Sequence, residues 1–357
     1  MNFASDNGAG VAPQIISAIG AAALANAPAY GADAWTQRAR DALSAAFERD
    51  VAAFLVSTGT AANALALGAL TRPWSGIFCH EEAHIHDDEC GAPELFSGGA
   101  KLVGIAGEEG KVTPGALRDT LARFPIGLAK SVQSGALSLS QATEAGAVYK
   151  PDEIAALSAV AREAGCAVHM DGARFANAVA HLGCSPADMT WRAGVDVLSL
   201  GATKDGALAC EAVIFFDPAR AADFEFQRKR GGHTVSKGRF LGAQMGAWLK
   251  DDLWLDLARR ANASARRLAD GLAACASVRI VWPVEVNEVF VTLPRSMLAP
   301  LKAAEACFYE WSSRAAATDA QPRDGEAFIR LVCSFETSEE EIDRFVGIVA
   351  SGARASA

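Results

Sequence analysis

Short apolar runs rich in β-branched residues recur along the chain, separated by longer Ala- and Leu-rich stretches with helical spacing. The short runs at 51–56, 136–140, 166–171, 195–200 and 211–216 predict buried strands, each bounded by glycine or polar residues. The longer stretches predict helices over 13–26, 36–47, 113–122, 152–164 and most of 240–275. Pro28, Gly31 and Asp33 mark a turn, and Pro151 with Asp152 and Glu153 a helix start. Residues 57–70, STGTAANALALGAL, lead from a strand through a small-residue turn into an apolar helix. Beyond 275, the stretches 278–282, 288–293, 302–315, 327–334 and 338–349 alternate strand-like and helical character. The expected fold class is α/β: a large domain on a mainly parallel sheet, then a small C-terminal α+β domain. The expected boundaries are an N-terminal arm over 1–14, a large domain over 15–245 and a small domain over 246–357, the last including a linking helix.

Composition narrows the function. The chain has 357 residues, 51% of them hydrophobic, which suffices for a large core. A net charge of −9 argues against a nucleic-acid partner, which would favour a basic stripe. No apolar run reaches membrane-spanning length, and MNFASDNGAG has no export-signal pattern, so a cytoplasmic location is expected. The eight cysteines are scattered without a C-x-x-C pair and read as reduced thiols.

The candidate chemistry centres on VDVLSLGATKDGAL, where Lys204 follows the 195–200 strand among small residues that leave room for a flat group. A desolvated lysine amine condenses with aldehydes, so Lys204 reads as the Schiff-base lysine of a pyridoxal 5'-phosphate (PLP) enzyme. CAVHMDGAR is a second strand ending at Asp171, a carboxylate suited to keeping a pyridine nitrogen protonated. Both residues then fall at the C-terminal edge of a parallel sheet, where open α/β folds bind ligands. Thr58, Gly59 and Thr60 begin a helix whose N–H groups suit a phosphate, although an ordinary N-cap explains them too. Residues 76–90 hold His80, His84 and His86 ahead of Asp87 and Asp88. No zinc spacing is present, so no metal is expected; one histidine, His84, suits stacking on a cofactor ring and handling protons. Thr143 and Glu144 sit in a polar loop that reads equally as a surface turn or as part of a cleft. Ser5, Asp6 and Asn7 belong either to a frayed terminus or to an arm folded over a site. Arg228, Lys229, Arg230, Lys237 and Arg239 form the one strongly basic patch, either a solvated face or an anion site. Arg330 interrupts the apolar strand FIRLVCSF and needs an anionic partner, such as a substrate carboxylate.

The chain resembles the low-specificity L-threonine aldolases and related phenylserine aldolases of the aspartate-aminotransferase-like (fold type I) PLP enzymes. The resemblance spans nearly the whole length. It is carried by SDNGAG, YGADAWTQR, STGTAAN, EEAHIHDDECGAPE, SQATEAGAVY, HMDGARFANA, DVLSLGATKDGAL, KRGGHTVSKGRFLGAQM and IRLVCSF. It implies retro-aldol cleavage of L-threonine, L-allo-threonine or phenylserine to glycine and an aldehyde. β-Elimination or transamination on the same fold is the alternative. It implies that Lys204, His84 and Glu144 are catalytic. PLP would be held by Thr58, Gly59, Thr60, His84, Asp171, Arg174, Thr203, Lys204, Arg230 and Arg239. The amino-acid substrate would be held by Ser5, Tyr30, Thr143, Arg174 and Arg330. The basic segment would reach a neighbouring subunit's phosphate site, so the implied assembly is a dimer with shared active sites, paired into a tetramer. Many family members carry a second histidine in the loop that reads SQATEAG here, so the general base is open among His84, Glu144 and water.

Overall fold

The computed structural model describes residues 1–24, 26–312 and 321–355. Seven strands form the large sheet: β1 (Ala52–Val56), β2 (Ser75–His80), β3 (Lys101–Ile105), β4 (Gln133–Ser140), β5 (Ala167–Gly172), β6 (Val197–Gly201) and β7 (Glu211–Phe215). Their order is β1-β7-β6-β5-β4-β2-β3. Only β7 is reversed, antiparallel to both neighbours. The 202–210 connection from β6 is too short for a crossover helix, so the chain must turn straight back. Alternate residues of these strands serve opposite faces. Leu198, Leu200 and Ile214 join the main core, while Val197, Val213 and Phe215 pack with helix Gly59–Leu70.

A second, antiparallel sheet holds β8 (Arg279–Ile280), β9 (Glu288–Pro294), β10 (Tyr309–Glu310) and β11 (Glu326–Val332), ordered β10-β11-β9-β8. Helices Leu253–Ala273 and Glu339–Ala355 bury its apolar face in a separate core. The expected 240–275 helical stretch is two helices, Arg239–Leu249 and Leu253–Ala273. They are parted where Asp251 and Asp252 take positive φ, 54° and 56°. The first predicted helix is Pro13–Ala23, shorter than 13–26, and position 25 of that stretch lies outside the described residues. The 302–315 stretch holds the end of helix Leu298–Ala303 and β10; its positions 313–315 lie outside the described residues.

The N-terminal arm is docked rather than frayed. Phe3 is fully buried in the small-sheet core, its ring 5.2 Å from that of Phe345. Its backbone N–H donates to Cys307 O and its carbonyl accepts from Val332 N, both at 2.9 Å. This anchors Ser5–Asn7 beside the carboxyl edge of the large sheet.

Gly206, two residues after Lys204, has φ +102°, and a Cβ there would meet Leu257 Cδ1 at 2.7 Å. Gly206→Ala is expected to cost about 1–3 kcal/mol of stability through backbone strain and overpacking, read by urea denaturation. A parental midpoint would contradict this packing.

Candidate active site

The carboxyl ends of the parallel strands carry the chemistry. Thr58–Thr60 follow β1, His84 follows β2, Glu144 follows β4, Arg174 follows β5 and Lys204 follows β6. The register sets Ser140 beside Asp171 and Asp171 beside Ser199, so β4, β5 and β6 end in one row of polar groups. A cavity of about 280 Å³ opens over this row, lined among others by Thr58, Gly59, Thr60, His84, Asp171 and Lys204. It shares Asn7, His84 and Lys204 with an outer chamber of about 720 Å³ that reaches Ser5, Glu144, Arg174, Trp311 and Arg330.

Lys204 sits in the turn Thr203–Asp205 just past β6. Thr203 Oγ1 accepts from Cys210 N at 3.1 Å, which pins that turn. Asp171 is 7% exposed. Its Oδ2 accepts from Asn63 Nδ2 at 2.7 Å and its Oδ1 from Ala173 N at 3.0 Å. His84 Nδ1 lies 2.9 Å from Glu89 Oε1, and this hydrogen bond raises the imidazole's pKa. Thr58 caps helix Gly59–Leu70, its Oγ1 accepting from Ala61 N at 3.2 Å. A Cβ on Gly59 would meet nothing within 4 Å, so the helix start is open to a ligand. Beneath the cavity, His169 lies between Ser138 Oγ and Ser199 Oγ, each at 2.9 Å, and burial pushes it down to about 4, leaving it neutral.

Glu144 accepts from His84 N and Ser140 Oγ on Oε1, both at 2.8 Å, while its buried Oε2 has no hydrogen-bond partner. Burial lifts this carboxyl to about 7. Glu211, the first residue of β7, accepts from Ala202 N at 3.0 Å beside Lys204, and burial also lifts it to about 7.

The arginines differ. Arg174 donates to Asp6 from Nε at 2.8 Å and from Nη2 at 3.1 Å, and lies 3.4 Å from Glu288. Burial would raise Asp6, but Arg174 and Lys204 outweigh it and hold the carboxyl below its usual value. Arg330 lies 4.0 Å from Glu288 and 4.2 Å from the Trp311 ring centre, and its Nε has no hydrogen-bond partner.

Of the remaining expected residues, Thr143 lines a small cavity of about 70 Å³ together with His84, Glu144, Asp171 and Lys204. Thr143 is fully buried, with its hydroxyl donating to Glu109 O at 2.7 Å and accepting from Ala147 N at 3.1 Å. Tyr30 is 56% exposed under Lys229 and lines a different hollow. Arg230 is exposed at the end of helix Phe224–Arg230, and Arg239 Nε donates to Ala22 O at 3.0 Å. The chain by itself does not bring these last three to Lys204. His80 uses its ring nitrogens on Gly107 O and Glu82 N, and His86 faces Asp87. Among the described residues, the set close enough to share an ion is His84, Glu89 and Asp171. Asn63, Glu89, Glu211 and Glu288 are site residues that the sequence reading missed.

The donor set suits PLP. A lysine amine, an aromatic-sized slot with a carboxylate and a histidine on its walls, and an open helix start meet in one cavity. Thr58–Thr60 would hold the phosphate, Asp171 the ring nitrogen and Lys204 the aldehyde carbon.

The beta-eliminating lyase family model matches residues 2–296. A low-specificity L-threonine aldolase of Pseudomonas aeruginosa is 44% identical over 341 residues, covering 95% of this chain and 94% of the relative. Another, from a Pseudomonas species, is 41% identical over the same shares of the two chains. A threonine aldolase structure from Leishmania major superposes with a TM-score of 0.91 at 28% identity, covering 99% of each chain. The chain therefore belongs to the beta-eliminating lyase family, among the low-specificity L-threonine aldolases.

Proposed function

We propose that the chain cleaves L-β-hydroxy-α-amino acids between Cα and Cβ, giving glycine and an aldehyde. L-Threonine would yield acetaldehyde, and phenylserine would yield benzaldehyde. The observation that carries this reading is the meeting of Lys204, Asp171, His84 and Arg330 around connected cavities. Bound PLP supplies the electron sink for the pair left on Cα when the bond breaks.

The chain's own residues do the rest. Lys204 would tether the cofactor through its amine. Asp171 holds the proton on the ring nitrogen. His84 offers its face to the ring. Arg330, with a free Nε, receives the substrate carboxylate, and Arg174 closes on it from the Asp6–Glu288 side. Fixing the carboxylate fixes which Cα bond stands across the ring face. Glu144 takes the β-hydroxyl proton through its free Oε2. It stands where many family members have a second histidine, and its pKa near 7 suits that work. The Trp282 and Trp311 walls of the outer chamber suit an aryl side chain.

A base must be ionised to act, so kcat/KM is expected to rise with pH through about 7 as Glu144 loses its proton. Glu144→Gln should remove that limb and slow turnover by roughly 10²-fold. A parental pH profile in that variant would discard Glu144 as the base.

The assembly is read as a dimer with shared active sites, paired into a tetramer. Tyr30, Arg230 and Arg239 are then presented to a second copy. The eight free cysteines suit a reducing, cytoplasmic location. Among the described residues, no helix is long and apolar enough to cross a membrane.

The test of the activity is release of aldehyde and glycine, in equal amounts, from L-threonine and L-threo-phenylserine. Ammonia with a keto acid would point to elimination, and a keto acid without ammonia would point to transamination.

A further inference from the structure

We propose that Asn63 and Glu89 are positioning residues: together they form one hydrogen-bonded brace that ties His84 to Asp171 and sets where the two stand at the cavity. The brace rests on the PLP reading of that cavity. The motifs STGTAAN and EEAHIHDDECGAPE contain both residues but give neither a role, because Asn63 looks like a polar break in an Ala-rich helix and Glu89 like one acid in an acidic run.

The connections are continuous. Asn63 Nδ2 donates to Glu89 Oε1 at 2.8 Å and to Asp171 Oδ2 at 2.7 Å, using both of its protons. Glu89 Oε1 also faces His84 Nδ1 at 2.9 Å. Asn63 is 2% exposed and Glu89 4%, so neither is a solvated surface group. Burying a carboxylate is costly without partners, and its partners here are both groups of the brace. Asn63 extends from helix Gly59–Leu70 and Asp171 from β5, while His84 and Glu89 follow β2. Three separate elements are thus locked at the one place where a flat ring would lie between a histidine face and a carboxylate.

The two members do different work. Glu89 supplies charge: its hydrogen bond favours the protonated imidazole, and Asp171 adds to this while Lys204 opposes it. Burial in turn raises Glu89 itself. The remaining charged group at His84 is Glu144, on its backbone N–H. Asn63 supplies geometry, since it alone touches both carboxylates.

Two variants separate these parts. Glu89→Gln keeps the shape and an accepting oxygen but removes the charge. Asn63→Ala keeps the charge and breaks the bridge. The readouts are the titration of His84 by NMR, in protein freed of PLP, and the PLP dissociation constant by absorbance. In Glu89→Gln, His84 should titrate at or below the ordinary imidazole value. In Asn63→Ala, His84 should titrate as in the parent while PLP binds about 10-fold more weakly, the loss of roughly one hydrogen bond to a charged group. Parental His84 titration in the first variant and parental PLP affinity in the second would overturn the brace. A merely structural role would lower the melting temperature of both variants without moving either readout, and that result overturns it too. A parent chain that takes up no PLP would sink the cofactor reading instead, and the His84 titration would still decide the brace.

Discussion

Lys204→Ala is expected to abolish aldehyde release from L-threonine. In the proposed reading the lysine tethers the cofactor through its amine, and no cleavage proceeds without that attachment. Among the described residues, the other lysine or arginine cations of the outer chamber are Arg174 and Arg330, whose guanidiniums stay protonated and are poor nucleophiles. The variant should still bind PLP, through the proposed contacts of Thr58–Thr60, Asp171 and His84, and so hold it reversibly rather than covalently. Activity in that variant within tenfold of the parent would show that another group performs the step. The turn itself survives the substitution, because Thr203 and Gly206, not the lysine side chain, hold its backbone.

Arg330→Ala is expected to weaken amino-acid binding far more than it slows turnover. Hydrogen bonds to charged groups contribute about 1.5–3 kcal/mol, so loss of a carboxylate partner raises KM roughly 10- to 100-fold. Arg330→Lys recovers only part of this, since an ammonium lacks the planar fork and stacks poorly on Trp311. The check is a glycine titration followed by the cofactor's absorption, which reads binding without cleavage. An unchanged glycine affinity would assign the carboxylate to Arg174 alone. Arg174 is the weaker candidate, because two of its N–H groups are already spent on Asp6.

The parts of this site that are legible in the sequence share one property: each breaks a local pattern. Lys204 ends an apolar run, Asp171 ends another, and Arg330 sits inside a third. A charge in such a place needs a partner or a purpose. Asn63, Glu89 and Glu288 carry weaker signals: Asn63 is one polar residue in an Ala-rich helix, Glu89 lies in an acidic run and Glu288 opens an apolar strand, and it is packing against other elements that buries them. Thr143 shows the opposite limit. Its polar loop suggests a cleft and it does line a small cavity with Lys204, yet its hydroxyl is consumed by backbone groups of the chain itself. Among the strands, β2 and β3 were not anticipated. Each is short and interrupted by glycine, Gly76 and Gly104, and both are stabilised by partners far along the chain rather than by their own propensity. Tyr30, Arg230 and Arg239 stand apart from Lys204 in the single chain.

The most direct measurement is borohydride reduction of the purified protein, followed by peptide mapping and an aldehyde assay. A pyridoxyl group found on the peptide containing Lys204, together with loss of aldehyde release from L-threonine, is the predicted result. A pyridoxyl group on another lysine, or undiminished aldehyde release after complete reduction, would contradict it.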